Sequence, residues 1–514
     1  VGGKLDGWPV GVWTDHPGLV FEAKTNNGSF AVNVSADVPP GPHLVRFYNG
    51  DGSAEPRTFV VGRRDEVLEA EPNDEFRKAQ RIDPTAVVVN GRLEKAGDVD
   101  SFAIKAEQGK WIVASVDCYA LGSSVDPVLQ ILDERGVRVV LNHDAHNLDA
   151  LVAWQAPRTG TYVVQILGFA HPPAADVAAK GSPAYVYRLT MTTGPMVRSA
   201  FPMGVKRGSR SDLELIGWNL PKMAQPVDAT RTALAEQLIF APADLTGDTL
   251  WLDVADANDI FEREPNDVAS KAQPVALPAT LNGRIGQPGD VDRFSFPAKK
   301  NERFNFQLRA VELHSPLAAR LRVEDTNGVS LAQQEGGDLT DPRLGWNAPA
   351  DGTYVLAVSD MYGQGGSEWL YRIKTAPAPP HFTATLPTHA FFVENGKTNE
   401  IKVTITRNEG YKEKLVLAVK GLPDGVVAHI PPVPDKGTEV KVELVASPEA
   451  RAASVPIEFI LSAPEVRPPV SRAASFSLRG VEPRGDRLIN EGKIAWLTVA
   501  NKPAPPPPPK KKKG

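Results

Sequence analysis

Two short stretches of this chain gather side-chain oxygens, and each occurs twice. The first is Glu69-Ala70-Glu71-Pro72-Asn73-Asp74, followed downstream by Gly97-Asp98-Val99-Asp100-Ser101-Phe102. The second is Glu262-Arg263-Glu264-Pro265-Asn266-Asp267, followed by Gly289-Asp290-Val291-Asp292-Arg293-Phe294. Carboxylate and amide oxygens are hard donors, and a collection of them suits Ca2+, which takes about 6–8 oxygens in a flexible shell. The two aspartates of each pair straddle one apolar residue and lead into an alternating strand, so they are expected to point to one side of the chain. A plainer reading is that these residues cap turns and solvate a surface. Clustering and reuse in two copies favour the metal.

Other chemistry is thin. Nine histidines are scattered, with no His-Glu-x-x-His, no Gly-x-Ser-x-Gly and no Walker loop. The close cluster His143-Asp144-Ala145-His146 falls in a turn between strands, where solvent exposure is expected. No catalytic residue is assigned, and the expectation is a non-enzymatic chain. Tyr119, Phe169, Tyr362 and Trp369 are either core residues or parts of an aromatic binding platform. Trp154 and Trp346 hold equivalent places in alternating strands and are expected in the core.

The elements that must position these residues are strands. At 514 residues the chain is too long for one core, and about 100–150 residues per domain gives four or five. Hydrophobic content of 42% and charged content of 23% are those of folded globular material. The net charge of −5 offers no basic face to a nucleic acid. Proline (46) and glycine (43) are plentiful, as expected where turns join many short strands. The single cysteine, Cys118, excludes an intramolecular disulfide and lies in an apolar run, so an inert core thiol is expected. No stretch reaches the roughly 18–20 apolar residues of a membrane span. The chain starts at Val1 without a methionine or signal-like segment, which fits removal of a leader.

Asp98 and Asp290, Asp133 and Asp325, Trp154 and Trp346, and Tyr162 and Tyr354 share one constant offset, and Glu71 and Glu264 differ from it by one residue. That register marks residues 64–195 and 260–376 as a duplication. Inside each copy, runs such as Tyr162-Val163-Val164-Gln165-Ile166 alternate between turn signals, with no helical periodicity. The fold class is all-β, a tandem array of antiparallel β-sandwich or jelly-roll domains. Residues 1–63 read as a small sandwich ending in Leu44-Val45-Arg46-Phe47-Tyr48-Asn49-Gly50-Asp51-Gly52. Residues 196–259 carry Leu213-Glu214-Leu215-Ile216-Gly217-Trp218-Asn219-Leu220. Residues 377–500 hold a further set of strands, and residues 501–514, a proline run followed by four lysines, read as a disordered tail.

The duplicated segments resemble the bacterial pre-peptidase C-terminal (PPC) domain, related to the collagen-binding domains of clostridial collagenases. The resemblance rests on Glu-x-Glu-Pro-Asn-Asp, on Ala79-Gln80 and Ala272-Gln273, on Gly-Asp-Val-Asp-x-Phe and on the late Gly-Thr-Tyr. It implies calcium held by Glu69, Glu71, Asn73, Asp74, Asp98 and Asp100 in the first copy. In the second it implies Glu262, Glu264, Asn266, Asp267, Asp290 and Asp292. The copies diverge elsewhere, since Asp126-Pro127 becomes Ala318-Ala319 and Asp144 becomes Gly336. Residues 1–63 and 196–259 resemble IPT/TIG-type immunoglobulin-like domains, and 377–500 resembles bacterial Ig-like domains. Together these imply a rod-like series of sandwiches, secreted or on the cell surface or in the periplasm. Its partners would be extracellular protein, polysaccharide or cell-envelope components, and its role adhesion or scaffolding. The alternative is an accessory substrate-binding region of a secreted peptidase or other hydrolase whose catalytic module lies elsewhere.

Overall fold

A computed structural model describes residues 7–500 apart from 83–86, 146–147, 170–178, 222–223, 231–236, 241–244, 246–249, 338–339, 376–380, 409 and 479–487. The expectation for the tail at 501–514 lies outside the described residues. The described chain is built of strands joined by turns and a few one-turn 3-10 segments. No helix among the described residues is long and apolar enough to cross a membrane. The all-β fold expected from the alternating pattern is what the chain adopts.

Each duplicated segment folds as two facing five-stranded sheets with the same strand order. In the first copy one sheet runs Arg138–Asn142, Pro127–Leu132, Gly160–Gly168, Val99–Ala106, Gln80–Arg81. The other runs Leu151–Gln155, Trp111–Asp117, Val186–Thr192, Val87–Arg92, Asp65–Leu68. Central pairs are antiparallel, as expected. The exceptions are the short edge strands: Asp65–Leu68 pairs parallel with Val87–Arg92, and Gln80–Arg81 parallel with Val99–Ala106. The second copy repeats both, with Asp259–Phe261 parallel to Thr280–Arg284.

Period-two alternation decides what enters each core. In Val99–Ala106 the row Asp100, Phe102, Ile104 and Ala106 is buried, and in Val291–Ala298 the row Asp292, Phe294, Phe296 and Ala298 is buried. Each core row therefore ends on a carboxylate, set there by the pattern that inserts the phenylalanines. Both cores are well filled: Phe102, Ile104, Ile112, Leu129 and Cys118 are sealed in the first, and Phe294, Phe306, Leu308 and Tyr371 in the second. A fully buried Phe or Leu side chain contributes roughly 1.5–3 kcal/mol each. Cys118 is buried as expected, and burial pushes its thiol well up.

The described residues divide into two compact units, within Val1–Val61, Pro379–Pro483 and Arg487–Gly514 for one and Gly62–Ala378 and Arg484–Asp486 for the other. Within the first unit, the first module packs on the last. Arg46, in the strand Gly41–Asn49, is fully buried among residues from the far end of the chain. Its guanidinium donates to the carbonyls of His389 and Ile494, each at 3.1 Å, and lies over the rings of Trp496 and Phe476. Tyr48 packs on Trp496 with ring centroids 4.6 Å apart, and Leu44 joins the core cluster of the last module. Turn spacing shows where sandwiches begin and end. It carries no sign of this return contact.

In the other unit, the segment between the two copies is anchored on both. Asn219, at positive φ, accepts a hydrogen bond from the Trp111 amide and donates to the carbonyls of Trp111, Thr193 and Gly194. On the other side the fully buried Asp253 faces Arg372 Nε at 3.1 Å and Lys374 Nζ at 2.7 Å, with Arg309 further out. Arg372 in turn holds Asp259 at 2.7 Å.

Candidate metal centre

The acidic segment reaches each sandwich along its parallel edge strand. Asp65–Leu68 hands the chain to Glu69, whose amide donates to the Asn90 carbonyl at 3.1 Å. Asp259–Phe261 hands it to Glu262, whose amide donates to the Asn282 carbonyl at 2.9 Å. Glu69 then turns inward and accepts from the Arg92 amide at 2.9 Å, and Glu262 accepts from the Arg284 amide at the same distance.

Behind this strap stands a tyrosine that sequence patterning did not single out. The Tyr187 hydroxyl lies 2.8 Å from Glu69 Oε2 and 2.7 Å from Asp100 Oδ2. Tyr371 repeats the arrangement with Glu262 at 3.2 Å and Asp292 at 2.7 Å. One phenolic proton cannot serve two carboxylates, so one carboxyl of each pair must carry a proton or a cation must take its place. Burial pushes Asp100 and Asp292 well above the usual carboxylate range, and it raises Tyr187 and Tyr371 as well. A Cβ at Gly91 would sit 2.2 Å from Glu69 Oε2, and one at Gly283 would sit 2.2 Å from the Tyr371 hydroxyl. Only glycine leaves room there. The paired segments Tyr187-Arg188-Leu189 and Tyr371-Arg372-Ile373 were the available sequence signal for these tyrosines.

The remaining expected residues converge at the mouth of each strap. Among the described residues, Glu71, Asp74 and Asp98 bring carboxylate oxygens within 4.8 Å of one another, and so do Glu264, Asp290 and Asp292. Glu71 and Glu264 also accept from the Asn73 and Asn266 amides, both at 2.9 Å. Asp98 accepts from the Glu94 and Lys95 amides, and Asp290 from the Gly286 amide at 2.6 Å. Asp74 and Asp267 stay exposed at the rim. The gathered trios differ: Asp74 completes the first, whereas Asp292 belongs to the second and Asp267 does not. Behind the rim, Ser101 reaches the Asp74 carbonyl at 3.5 Å. In its place Arg293 donates to the Asp267 carbonyl and is held by the buried Glu324 at 2.9 Å.

The side chains suit a hard cation for a reason beyond their clustering. Asn73 and Asn266 are both 0% exposed, yet neither amide oxygen nor amide nitrogen has a hydrogen-bond partner. Asp98 Oδ1, Asp100 Oδ1 and Asp292 Oδ1 are orphaned in the same way. Buried polar atoms are normally paired, and an orphan calls for a water or an ion. An all-oxygen donor set selects Ca2+, Mg2+ or Mn2+ over softer metals.

The other candidates separate cleanly. His143 and Asp144 pair at 2.8 Å with both side chains about half exposed, as expected of a turn, and His143 stacks on Phe169. His146 lies outside the described residues. Phe169 and Tyr362 are exposed, Trp369 packs against the second core, and Tyr119 is half-buried. Trp346 is a core residue and Trp154 packs on the first core. Sequence reasoning also passed over Asp149 and Asp341. Each is buried and accepts three consecutive backbone amides, from Cys118, Tyr119 and Ala120 and from Ala310, Val311 and Glu312. Their equal spacing in the duplication was the signal.

No family model matches the chain. A stretch of 107 residues, 20% of this chain, is 33% identical to a protein of Deinococcus radiodurans described as a probable subtilase-type serine protease, and spans 15% of that protein's length. Among solved structures, the surface-layer protein SbsC is similar at 10% identity over 81% of this chain and 54% of that chain, with a TM-score of 0.15. Trypsin-activated alpha-2-macroglobulin from Escherichia coli is similar at 9% identity over 94% of this chain and 38% of that chain, with a TM-score of 0.13. TM-scores this low carry no information on function.

Proposed function

We propose that this chain is an exported, non-catalytic scaffold whose two duplicated sandwiches are PPC domains, each stiffened by calcium. The orphaned asparagines carry this reading: two equivalent buried amides, each beside a carboxylate cluster, each without a partner. Glu71, Asn73, Asp74 and Asp98 would hold the ion in the first copy with Asp100 behind them, and Glu264, Asn266, Asp290 and Asp292 in the second. Bound calcium would supply the positive charge that buried carboxylates otherwise replace with protons. Glu69 and Glu262 tie the incoming strand to the tyrosines, so order at the mouth extends along the strap to the preceding segment. The partners would be extracellular protein or polysaccharide.

Calorimetric titration of the full chain with Ca2+ tests this against turn capping. Asn73→Ala should leave stability in chelator nearly unchanged, because the side chain makes no hydrogen bond, while weakening binding at one site. If Asn73→Ala destabilises the chelated protein and leaves calcium binding untouched, the residue is a structural cap.

A second reading has one observation in its favour. The stretch shared with the subtilase-type relative covers little of that protein, as a non-catalytic accessory region would. In that case the chain would present substrate to a hydrolase. A peptidase module encoded in the same gene, together with binding of the isolated chain to its substrate, would favour it.

A further inference from the structure

The last module holds an arginine in a place that alternation reserves for apolar residues. In the strand Thr398–Asn408 the inward row is Ile401, Val403 and Ile405, all buried, and the next member of that row is Arg407. Directly across the antiparallel ladder stands Phe382, 1% exposed. Arg407 Nε, Nη1 and Nη2 are all shielded from solvent, and among the described residues none has a hydrogen-bond partner or a carboxylate within ion-pair distance. The turn after the strand brings Tyr411 back over this end, its amide donating to the Asn408 carbonyl at 3.1 Å and its ring 5.1 Å from Phe382. Burial and then the Glu413 carboxylate push the Tyr411 phenol up, the Arg407 charge opposes them, and the hydroxyl is likewise shielded and unpartnered.

A guanidinium cannot shed its proton, so an unpaired one out of water is costly, and removing the charge is then favourable. Among the described residues, the fully buried arginines Arg46 and Arg372 both have partners: Arg46 has two carbonyls, and Arg372 has Asp253 and Asp259. We propose that Arg407 and Tyr411 form an oxyanion-binding site at the end of the last sandwich, taking a carboxylate or a sulfate group. The planar fork of Arg407 would hold two oxygens side by side and the Tyr411 hydroxyl would donate to one of them. Arg407 and Tyr411 are donors and Phe382 is the apolar floor, while Glu413 is an acidic neighbour of the Tyr411 hydroxyl. An acidic side chain or a sulfate ester of a binding partner offers the same chemistry as the free ion. The site is independent of the calcium centres.

Thermal unfolding of the full chain, with sodium sulfate or sodium acetate replacing sodium chloride at constant ionic strength, tests the site. One transition of the wild type should rise saturably, on the order of 5 °C, with either probe. Whichever acts at lower concentration identifies a tetrahedral or a carboxylate ligand. Arg407→Met should not respond, and in chloride alone it should melt above the wild type. Tyr411→Phe should need about tenfold more oxyanion for the same rise and keep the wild-type midpoint in chloride. Equal responses of wild type and Arg407→Met, or a Tyr411→Phe curve that overlays the wild type, would overturn the proposal.

Discussion

The Tyr187 hydroxyl sits 2.7 Å from Asp100 Oδ2, and Tyr371 stands at the same 2.7 Å from Asp292 Oδ2. In both sandwiches, then, the last carboxylate of a core-facing row meets a phenol from the opposite sheet, and that phenol also holds the strap glutamate. Tyr187→Phe should leave Asp100 and Glu69 short of a partner and cost about 1–3 kcal/mol. Urea unfolding in excess chelator is the measurement. A cost below a few tenths of a kcal/mol would mean that water replaces the hydroxyl freely.

Asp149 and Asp341 give a pH signature away from the candidate metal ligands. Burial pushes both up to about 6 despite their backbone hydrogen bonds. A raised folded-state value means the contribution is fully present below the ordinary value near 4 and is lost as pH rises through 6. For Asp149 this amounts to about 3 kcal/mol. Asp149→Asn should therefore gain on the wild type between pH 4 and 7 in parallel denaturation series. If the variant loses ground over that range, the amides favour the carboxylate more than burial opposes it.

Asp253 is the charge on which the joint between the middle segment and the second sandwich depends. Asp253→Ala leaves the fully buried Arg372 with Asp259 as its one carboxylate, beside Arg309 and Lys374, and should cost about 3 kcal/mol. Adding Arg372→Met should recover much of the loss, because removing both charges is far cheaper than removing one. The four-variant cycle by calorimetry reads the coupling directly, and strict additivity would refute it.

Arg46 anchors the first module on the last. Arg46→Met keeps most of the bulk but removes two charge-assisted hydrogen bonds and the stacking on Trp496, for a loss of about 2–4 kcal/mol. Limited proteolysis should then cut the first module sooner than in the wild type. Unchanged cleavage kinetics would show that the apolar contacts around Leu44 and Tyr48 suffice.

Local rules made the strands and the convergence of the acidic motifs legible. Alternation set the two aspartates of each pair on one side of a strand, and duplication paired Asn73 with Asn266. What stayed hidden depends on partners distant in the chain. Tyr187 meets Asp100 only because the two sheets face each other. Asp253 and Arg372 pair over a separation of 119 residues, which no local pattern reports. Arg46 lies in an alternating hairpin strand, and nothing nearby in sequence reports that Trp496 returns to cover it.

The most direct test of the calcium reading is thermal unfolding of the full chain in millimolar Ca2+ against excess chelator, with a Glu71→Ala, Asp98→Ala, Glu264→Ala, Asp290→Ala variant alongside. At a hundredfold excess over the dissociation constant, each site should stabilise the folded state by about 2.7 kcal/mol, with the shift absent from the variant. Identical midpoints of the wild type with and without calcium would contradict it and leave the repeated carboxylates as turn caps.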